Sequence, residues 1–445
     1  MKKFYINIIC ICLMALATGC DNYLDIKPTG SVIPTTLAEY RALWATAYNT
    51  VPSDRGLANM GADEMFVSNE SDMGKYSAIE RWEVGTSTSS STVAFNWAGY
   101  YQVLFYANFI IEHQGDITEG HDAEIKQLVG EAYLMRGYMH FVLANLFGQP
   151  YTKPGATDTK AVPLKFSTDL EERDQRNTVG EIYTSVLSDI QTAESLLNVE
   201  KWDDITLSYR FTTLCVPALR SRVYLYMGDW ANAYKYAEEA LAKKSTLEDF
   251  RAEGFKLPNH FQSVEAINPL EFTMNANYKN AVSVLPSFLS LYGEGDLRPA
   301  AYFAQPDDKG NRKCLKGGDH NFRNTIRVAE LYLNSAEAAA QSDKLPEARK
   351  RVLELMEKRY TAEAYAKKKA AVEAMGKADL VKEILNERAR ELAFEGQRWF
   401  DLRRTTRPRI EKVLQEKSYV LEQDDSRYTL RIPEEAIAAN PDLNN

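Results

Sequence analysis

Three groups of residues in this chain could do chemistry. The first is a run of acids and bases near residue 390: Glu387, Arg388, Glu391, Glu395, Arg398, Asp401 and Arg403. Glu387, Glu391 and Glu395 recur every four residues, which places them on one helix face. Paired carboxylates can act as acid and base in glycoside cleavage. Three like charges on one face also need compensation, and the nearby arginines can supply it in two-pronged pairs. The expectation is therefore a structural ion-pair network with no catalytic residue.

The second group is aromatic side chains set in polar loops. A pyranose ring has a face of C–H groups that lies flat on an aromatic ring, while amides, carboxylates and guanidiniums bind its hydroxyls. Tyr76 and Trp82 stand in a loop with Asn69, Asp72, Lys75 and Arg81. Tyr278 lies beside Asn275 and Asn277, and Tyr292, Tyr302 and Phe303 lie near Asp296 and Arg298. Trp97 follows the first loop at a helix start, where core and pocket edge are both open. The expected ligand contacts are Asn69, Asp72, Tyr76, Arg81, Trp82, Trp97, Tyr278, Tyr292 and Tyr302. Trp230, Tyr236 and Trp399 read as core.

The third is Cys20. Lys2 and Lys3 precede an apolar run from Ile6 to Leu16 and then Ala17-Thr18-Gly19-Cys20. This is the layout of an export signal, with a run too short to span a bilayer comfortably. Leu16-Ala17-Thr18-Gly19-Cys20 resembles a bacterial lipobox, in which cleavage before the cysteine leaves it acylated. Residues 1–19 are then a lipoprotein signal peptide, 20–36 a lipidated tether and 37–445 a single domain. The lipid on Cys20 is the only attached group expected; no cofactor or metal is. Cys215 and Cys314 remain, and a buried, unpaired pair is the simpler reading than a disulfide.

Composition closes off other classes. The 445 residues are 45% hydrophobic, which argues against disorder. Acids exceed bases by 62 to 53, for a net charge of −9, which disfavours nucleic acid as a partner. No CxxC, HExxH, GxxxxGK, GxGxxG or GxSxG is present, so zinc-enzyme, nucleotide-binding and hydrolase-elbow readings lack their signal. Asp307-Asp308-x-Gly310-Asn311 lacks the spacing of a full calcium loop and reads as a turn. His140, among apolar helix neighbours, reads as a satisfied core histidine.

The elements that must position these residues are helices. Helical periodicity marks 37–48, 93–112, 123–146, 211–226, 231–243, 325–341, 346–358, 361–375 and 378–395. Asn108 is a polar exception on the apolar face of the second. Thr178 and Glu181 form a capping box before Ile182, Val186 and Ile190. No sustained strand alternation appears. Residues 52–91, 147–177 and 245–322 read as irregular, and the aromatics of the last, Phe255, Phe261 and Phe272 among them, argue that it is ordered. Residues 218–241 read as helix, Gly-Asp turn and helix, with small residues at 233, 237 and 240 that allow close packing, as in a tetratricopeptide unit. Residues 326–353 echo it. The fold class is all-α.

Several stretches together resemble the SusD/RagB family of outer-membrane lipoproteins. They are Asp21 to Pro28 behind the lipobox, Trp97-x-x-x-Tyr101 with Ala107-Asn108, Gly130 to Tyr151, Glu387 to Arg403, and Tyr428 to Pro433 followed by Asn440 to Leu443. The resemblance implies a SusD-like helical fold built on tetratricopeptide-like helix pairs, with a loop-rich ligand region at about 245–322. It implies a cell-surface protein, lipid-anchored to the outer membrane, that binds oligosaccharide or polysaccharide without catalysis. Its implied partner is a SusC-type TonB-dependent transporter, to which it delivers the glycan for nutrient uptake. A peptide ligand within the same family, an all-α polysaccharide-degrading enzyme and a protein-binding repeat scaffold remain alternatives.

Overall fold

The computed structural model describes residues 33–83, 93–169 and 171–444. Cys20, the signal and most of the tether lie outside them. Ten long helices carry the fold: α1 (Leu37–Thr50), α2 (Trp97–Glu112), α3 (Asp122–Phe147), α4 (Val179–Leu196), α5 (Cys215–Met227), α6 (Trp230–Lys243), α7 (Val328–Gln341), α8 (Leu345–Glu357), α9 (Ala362–Ala374) and α10 (Lys377–Glu391). A shorter helix, α11, covers Arg398–Arg404. Each helix from α1 to α8 packs on the next, and α7 also carries α10. The result is a ladder of helix pairs, as the small-residue spacing predicts. Gly228, at φ 73°, makes the turn between α5 and α6, and Ala233, Ala237 and Ala240 are fully buried at their contact. Trp230 and Tyr236 are only half-buried. Tyr236 stacks on Tyr224 at 5.7 Å instead of entering the core. Trp399 is buried against Tyr428.

Local signals fix the helix starts. Glu181 N–H donates to Thr178 Oγ1 at 3.2 Å, and Thr178 N–H returns to Glu181 Oε2 at 2.7 Å, the capping box the sequence predicts at α4. Thr36 and Glu39 form another at α1. Three two-stranded antiparallel sheets stand where no strand is predicted: β1 (Met65–Val67) with β3 (Val282–Val284), β2 (Ala266–Asn268) with β4 (Ile326–Arg327), and β5 (Ile410–Leu414) with β6 (Lys417–Leu421). Most are too short to show alternation. The β5–β6 turn places Gln415 and Glu416 at positive φ, 49° and 64°. Asn-Gly or Asp-Gly usually marks such a turn, so the hairpin leaves no signature. The loop at 52–91 also contains helices, Asp54–Ala58 and Met73–Glu80. The second buries Glu80, whose carboxylate accepts the Val67 N–H at 2.8 Å, and that charge hides the apolar face.

The acids near residue 390 form a buried ion-pair network, as expected. Glu391 lies between Arg327 and Arg359, at 2.8 and 2.9 Å, with Arg298 at 3.2 Å. Arg298 also binds Glu387 and Asp296, Arg327 binds Glu395 and Glu265, and Lys316 pairs with Glu395. Their side chains are essentially unexposed. Helix α10 stops at Glu391, so Glu395 leaves the helix and reaches the network from the following turn. Burial alone would raise the Glu391 carboxyl, but the guanidiniums of Arg359 and Arg327 outweigh it and hold it well below the usual carboxylate range. The network joins α10 to segments 296–298, 316–327 and 359. It thereby holds the loop region onto the helical ladder. Cys215 and Cys314 are buried and unpaired.

Candidate functional site

The loop region is anchored from below by one carboxylate. Glu271 accepts from Arg55 Nε and Nη2 at 2.8–3.0 Å and from the Tyr138 hydroxyl of α3 at 2.5 Å. This ties segment 271–275 to the Asp54–Ala58 helix and to the middle of α3. Gly56 makes the close approach possible, because a Cβ there would stand 1.6 Å from the Thr273 carbonyl oxygen. Segment 318–324 runs antiparallel alongside: Gly318 N–H donates to Met274 O at 2.8 Å and Asn324 N–H to Glu271 O at 2.9 Å. On the other side, pairing of β1 with β3 brings residues 68–76 against 278–284.

These segments build one face. At one end Tyr76 and Tyr278 meet edge to face at 5.8 Å. Asn69 Nδ2 donates to Asp72 Oδ2 at 2.8 Å, and Asp72 pairs with Lys75. Beneath Tyr278 lies Asp54, whose Oδ2 accepts the Asn96 N–H at the start of α2, next to Trp97. At the other end Phe272, half-buried, packs on His320 at 5.1 Å and under the Arg323 guanidinium at 5.9 Å. Arg323 Nη2 donates to His320 Nδ1 at 3.0 Å, while its buried Nε–H has no partner. Phe261, His260 and Phe322 extend the aromatic edge. Half-open aromatic rings beside polar side chains are the parts from which small-ligand sites are built.

The predicted contacts divide into those this face unites and those it does not. Asn69, Asp72, Tyr76 and Tyr278 come together, with Trp97 adjoining through Asp54. Tyr76 and Tyr278 are 3% and 8% exposed, so they floor the face and offer little ring surface. Trp97 is half-buried against Tyr101 and Phe147. The others are corrections. Trp82 is buried with its indole N–H donated to Gly61 O at 2.9 Å, and Arg81 is spent on Ser77 O and the Tyr419 ring of the β5–β6 hairpin. Tyr302 is wholly buried, with the Lys316 ammonium 3.9 Å over its ring. The Tyr292 hydroxyl is donated to Arg390 O at 2.9 Å. Both tyrosines line the ion-pair network because Arg298 and Lys316 draw them inward. Phe272, His320 and Arg323 escape sequence reasoning as a group, since they meet only through the antiparallel segments. Among the described residues no acidic, histidine or cysteine cluster has the make-up of a metal site. Asp307 Oδ1 accepts the amides of Lys309 and Asn311, which closes a turn.

Burial pushes the Asp54 carboxyl up to about 7. A raised pKa in the folded state means that ionisation opposes folding. That cost is absent below the unfolded value near 4, grows up to about pH 7, and is constant above. Asp54→Asn keeps an oxygen for the Asn96 amide. Its stability relative to the parent should therefore rise between pH 4 and 7, by on the order of 2–4 kcal/mol, and then level off. Urea midpoints at pH 4.5, 6 and 8 test this; a difference independent of pH would contradict it.

Comparison with known proteins gives the same picture. Residues 22–225 match a family described as starch-binding associating with outer membrane, and residues 306–445 match the SusD family. A SusD-like protein of Formosa agariphila is 26% identical over 250 residues, covering 54% of this chain and 46% of that protein. The chain spans about half the length of the curated relatives it matches. A solved SusD superfamily protein from Bacteroides thetaiotaomicron superposes with a TM-score of 0.77 at 23% identity, covering 92% of this chain and 99% of that one. A laminarin-binding SusD-like protein superposes with a TM-score of 0.62 at 19% identity, covering 84% and 92%. The helical ladder and its loops are thus shared across nearly the whole of a solved relative, and the two family matches together span more than half of the residues: the chain belongs to the SusD/RagB family.

Proposed function

We propose that this chain binds oligosaccharide or polysaccharide at the outer membrane, held there by a lipid on Cys20, and passes it to a SusC-type TonB-dependent transporter for uptake. The observation that carries this reading is the loop face, where half-open aromatics adjoin polar side chains in a chain of a carbohydrate-binding family. Phe272 is the stacking surface, Asn69 and Asp72 supply hydrogen bonds, Tyr76 and Tyr278 form the floor and Trp97 the edge. The role is binding without turnover. The carboxylates near residue 390 are saturated by guanidiniums inside the core, so they are out of a substrate's reach. Glycoside cleavage needs two carboxyl groups flanking an accessible bond.

Calorimetric titration with maltohexaose and laminarihexaose tests the reading. Saturable binding is expected, and Phe272→Ala should weaken it at least about fivefold, the loss of one aromatic contact worth about 1 kcal/mol. Absence of binding to either sugar, or binding indifferent to Phe272, would count against it. Delivery is tested by deleting the chain in cells that grow on the bound glycan. Unchanged transporter-dependent uptake at limiting ligand would remove that step.

A further inference from the structure

A second surface of this chain has the parts of a sugar site. Phe166 is 48% exposed, an uncommon state for a phenylalanine held in place on every other side. Behind it the Arg136 guanidinium lies between two rings, 5.0 Å from Phe166 and 5.0 Å from Tyr133. Arg136 is itself fixed by a two-pronged pair with Asp189 at 2.6 and 2.9 Å, and its third nitrogen donates to Asn108 Oδ1 at 3.1 Å.

The backbone around Phe166 is clamped as firmly. Asn108 Nδ2 donates to the carbonyls of Lys165 and Ser167, and the Tyr101 hydroxyl donates to Pro163 O. Lys165 N–H donates to Nε2 of His140, and Thr168 is held by Glu112. Burial lowers the His140 pKa to about 3, so the ring is neutral and its Nε2 accepts. His140 is therefore only half satisfied, since its buried Nδ1 has no partner. Asn108, the polar exception on α2, is explained by this clamp. The exposed part of the ring has no benefit for folding, because its area is not buried. Preorganisation does benefit binding, since little freedom is lost when a ligand stacks.

Phe166 borders an open groove of about 530 Å3 between α3 and α4, within the size range of small-ligand sites. Thr184, Ser185 and Ser188 line its far wall from α4, and Glu181 stands at its end. The hydroxyls of Ser185 and Ser188 have no side-chain partner among the described residues. Arg136 is neutralised by Asp189, so the groove offers no free positive charge to an anion. It pairs an aromatic platform with a row of small hydroxyls.

We propose that this groove is a second carbohydrate-binding site, in which a neutral hexopyranose ring stacks on the outer face of Phe166 and hydrogen-bonds to Ser185, Ser188 and Glu181. The inference rests on the carbohydrate-binding reading of the chain but concerns a site separate from the loop face. Two sites on one chain raise avidity for a polymer long enough to engage both.

The test titrates the purified protein with maltohexaose and laminarihexaose, and measures retardation in gels containing starch or laminarin. Phe166→Ala is expected to remove one of two binding events and to weaken polymer retention at least about fivefold, in a protein that still unfolds in one cooperative urea transition. Phe166→Trp should retain both. Ser188→Leu fills the groove from α4 without touching Phe166 and should reproduce the loss, which separates site blockage from misfolding. If Phe166→Ala and Ser188→Leu bind as the parent does while Phe272→Ala does not, the groove inference is overturned and the loop face stands. Failure of the parent to bind any of these sugars overturns both.

Discussion

Glu391→Ala is expected to destabilise the chain by about 3–5 kcal/mol or to prevent folding altogether. The carboxylate is unexposed and touches Arg327, Arg359 and Arg298. Removing it leaves buried guanidiniums short of counter-charge, and breaking a buried pair from one side costs in this range because the remaining charge has no water to turn to. Glu391→Gln keeps the shape and one carbonyl oxygen but not the charge, so it should fall between the parent and alanine. Glu434→Ala, on the surface, should stay within about 0.5 kcal/mol. The pH dependence has a definite sign. The folded-state pKa of Glu391 is depressed, so its contribution is present above the ordinary carboxylate range and lost as pH falls through the depressed value. The gap between parent and Glu391→Ala in urea unfolding should therefore narrow in strong acid. A gap below 1 kcal/mol at pH 7 would show that the network is dispensable.

Gly56→Ala is the second large effect, and it reaches function as well as stability. The added methyl would stand 1.6 Å from the Thr273 oxygen and 2.6 Å from its carbonyl carbon. Both are backbone atoms, and both sides of the contact are held by the Arg55–Glu271–Tyr138 bonds. Overpacking usually costs 1–3 kcal/mol, and a clash this deep against fixed backbone should cost about 3 kcal/mol or more. Segment 271–275 must move, and Phe272 moves with it, so sugar binding should weaken even where the protein is still folded. Gly74→Ala provides the contrast. It lies in the Met73–Glu80 helix with nothing near its missing Cβ. Alanine there should be neutral or stabilise by up to about 1 kcal/mol. Equal urea midpoints for the Gly56→Ala variant and the parent would refute the close approach.

The helical ladder was legible because its signals are local. The capping box at Thr178, the small residues at 233, 237 and 240, and the apolar period of α3 each act within a few turns. The ion-pair network was legible in kind, since carboxylates as closely spaced as Glu387, Glu391 and Glu395 need compensation, although Glu395 reaches it from beyond the helix end. Its partners Arg298, Arg327 and Arg359 were not, because only packing brings them in. The candidate site was half legible. Polar loop composition found Asn69, Asp72, Tyr76 and Tyr278. The same rule selected Trp82 and Tyr302, which polar neighbours surround in sequence and the core surrounds in space. Phe166 carried no local mark. Its meaning comes from Asn108 of α2 and from Arg136 and His140 of α3, which the packing of these two helices brings beneath it.

The ion-pair network also sets an order of events in the life of the chain. Synthesis is directional, and Arg298, Arg327 and Arg359 precede the carboxylates of Glu387, Glu391 and Glu395. Until those carboxylates arrive, the three guanidiniums have only Asp296 and Glu265 as counter-charges in the network. Segments so far apart in sequence pair late and slowly. The network is therefore complete only once the residues that follow α10 have been made. Its last member, Glu395 in the turn after α10, braces segments that were made 68 and 79 residues earlier.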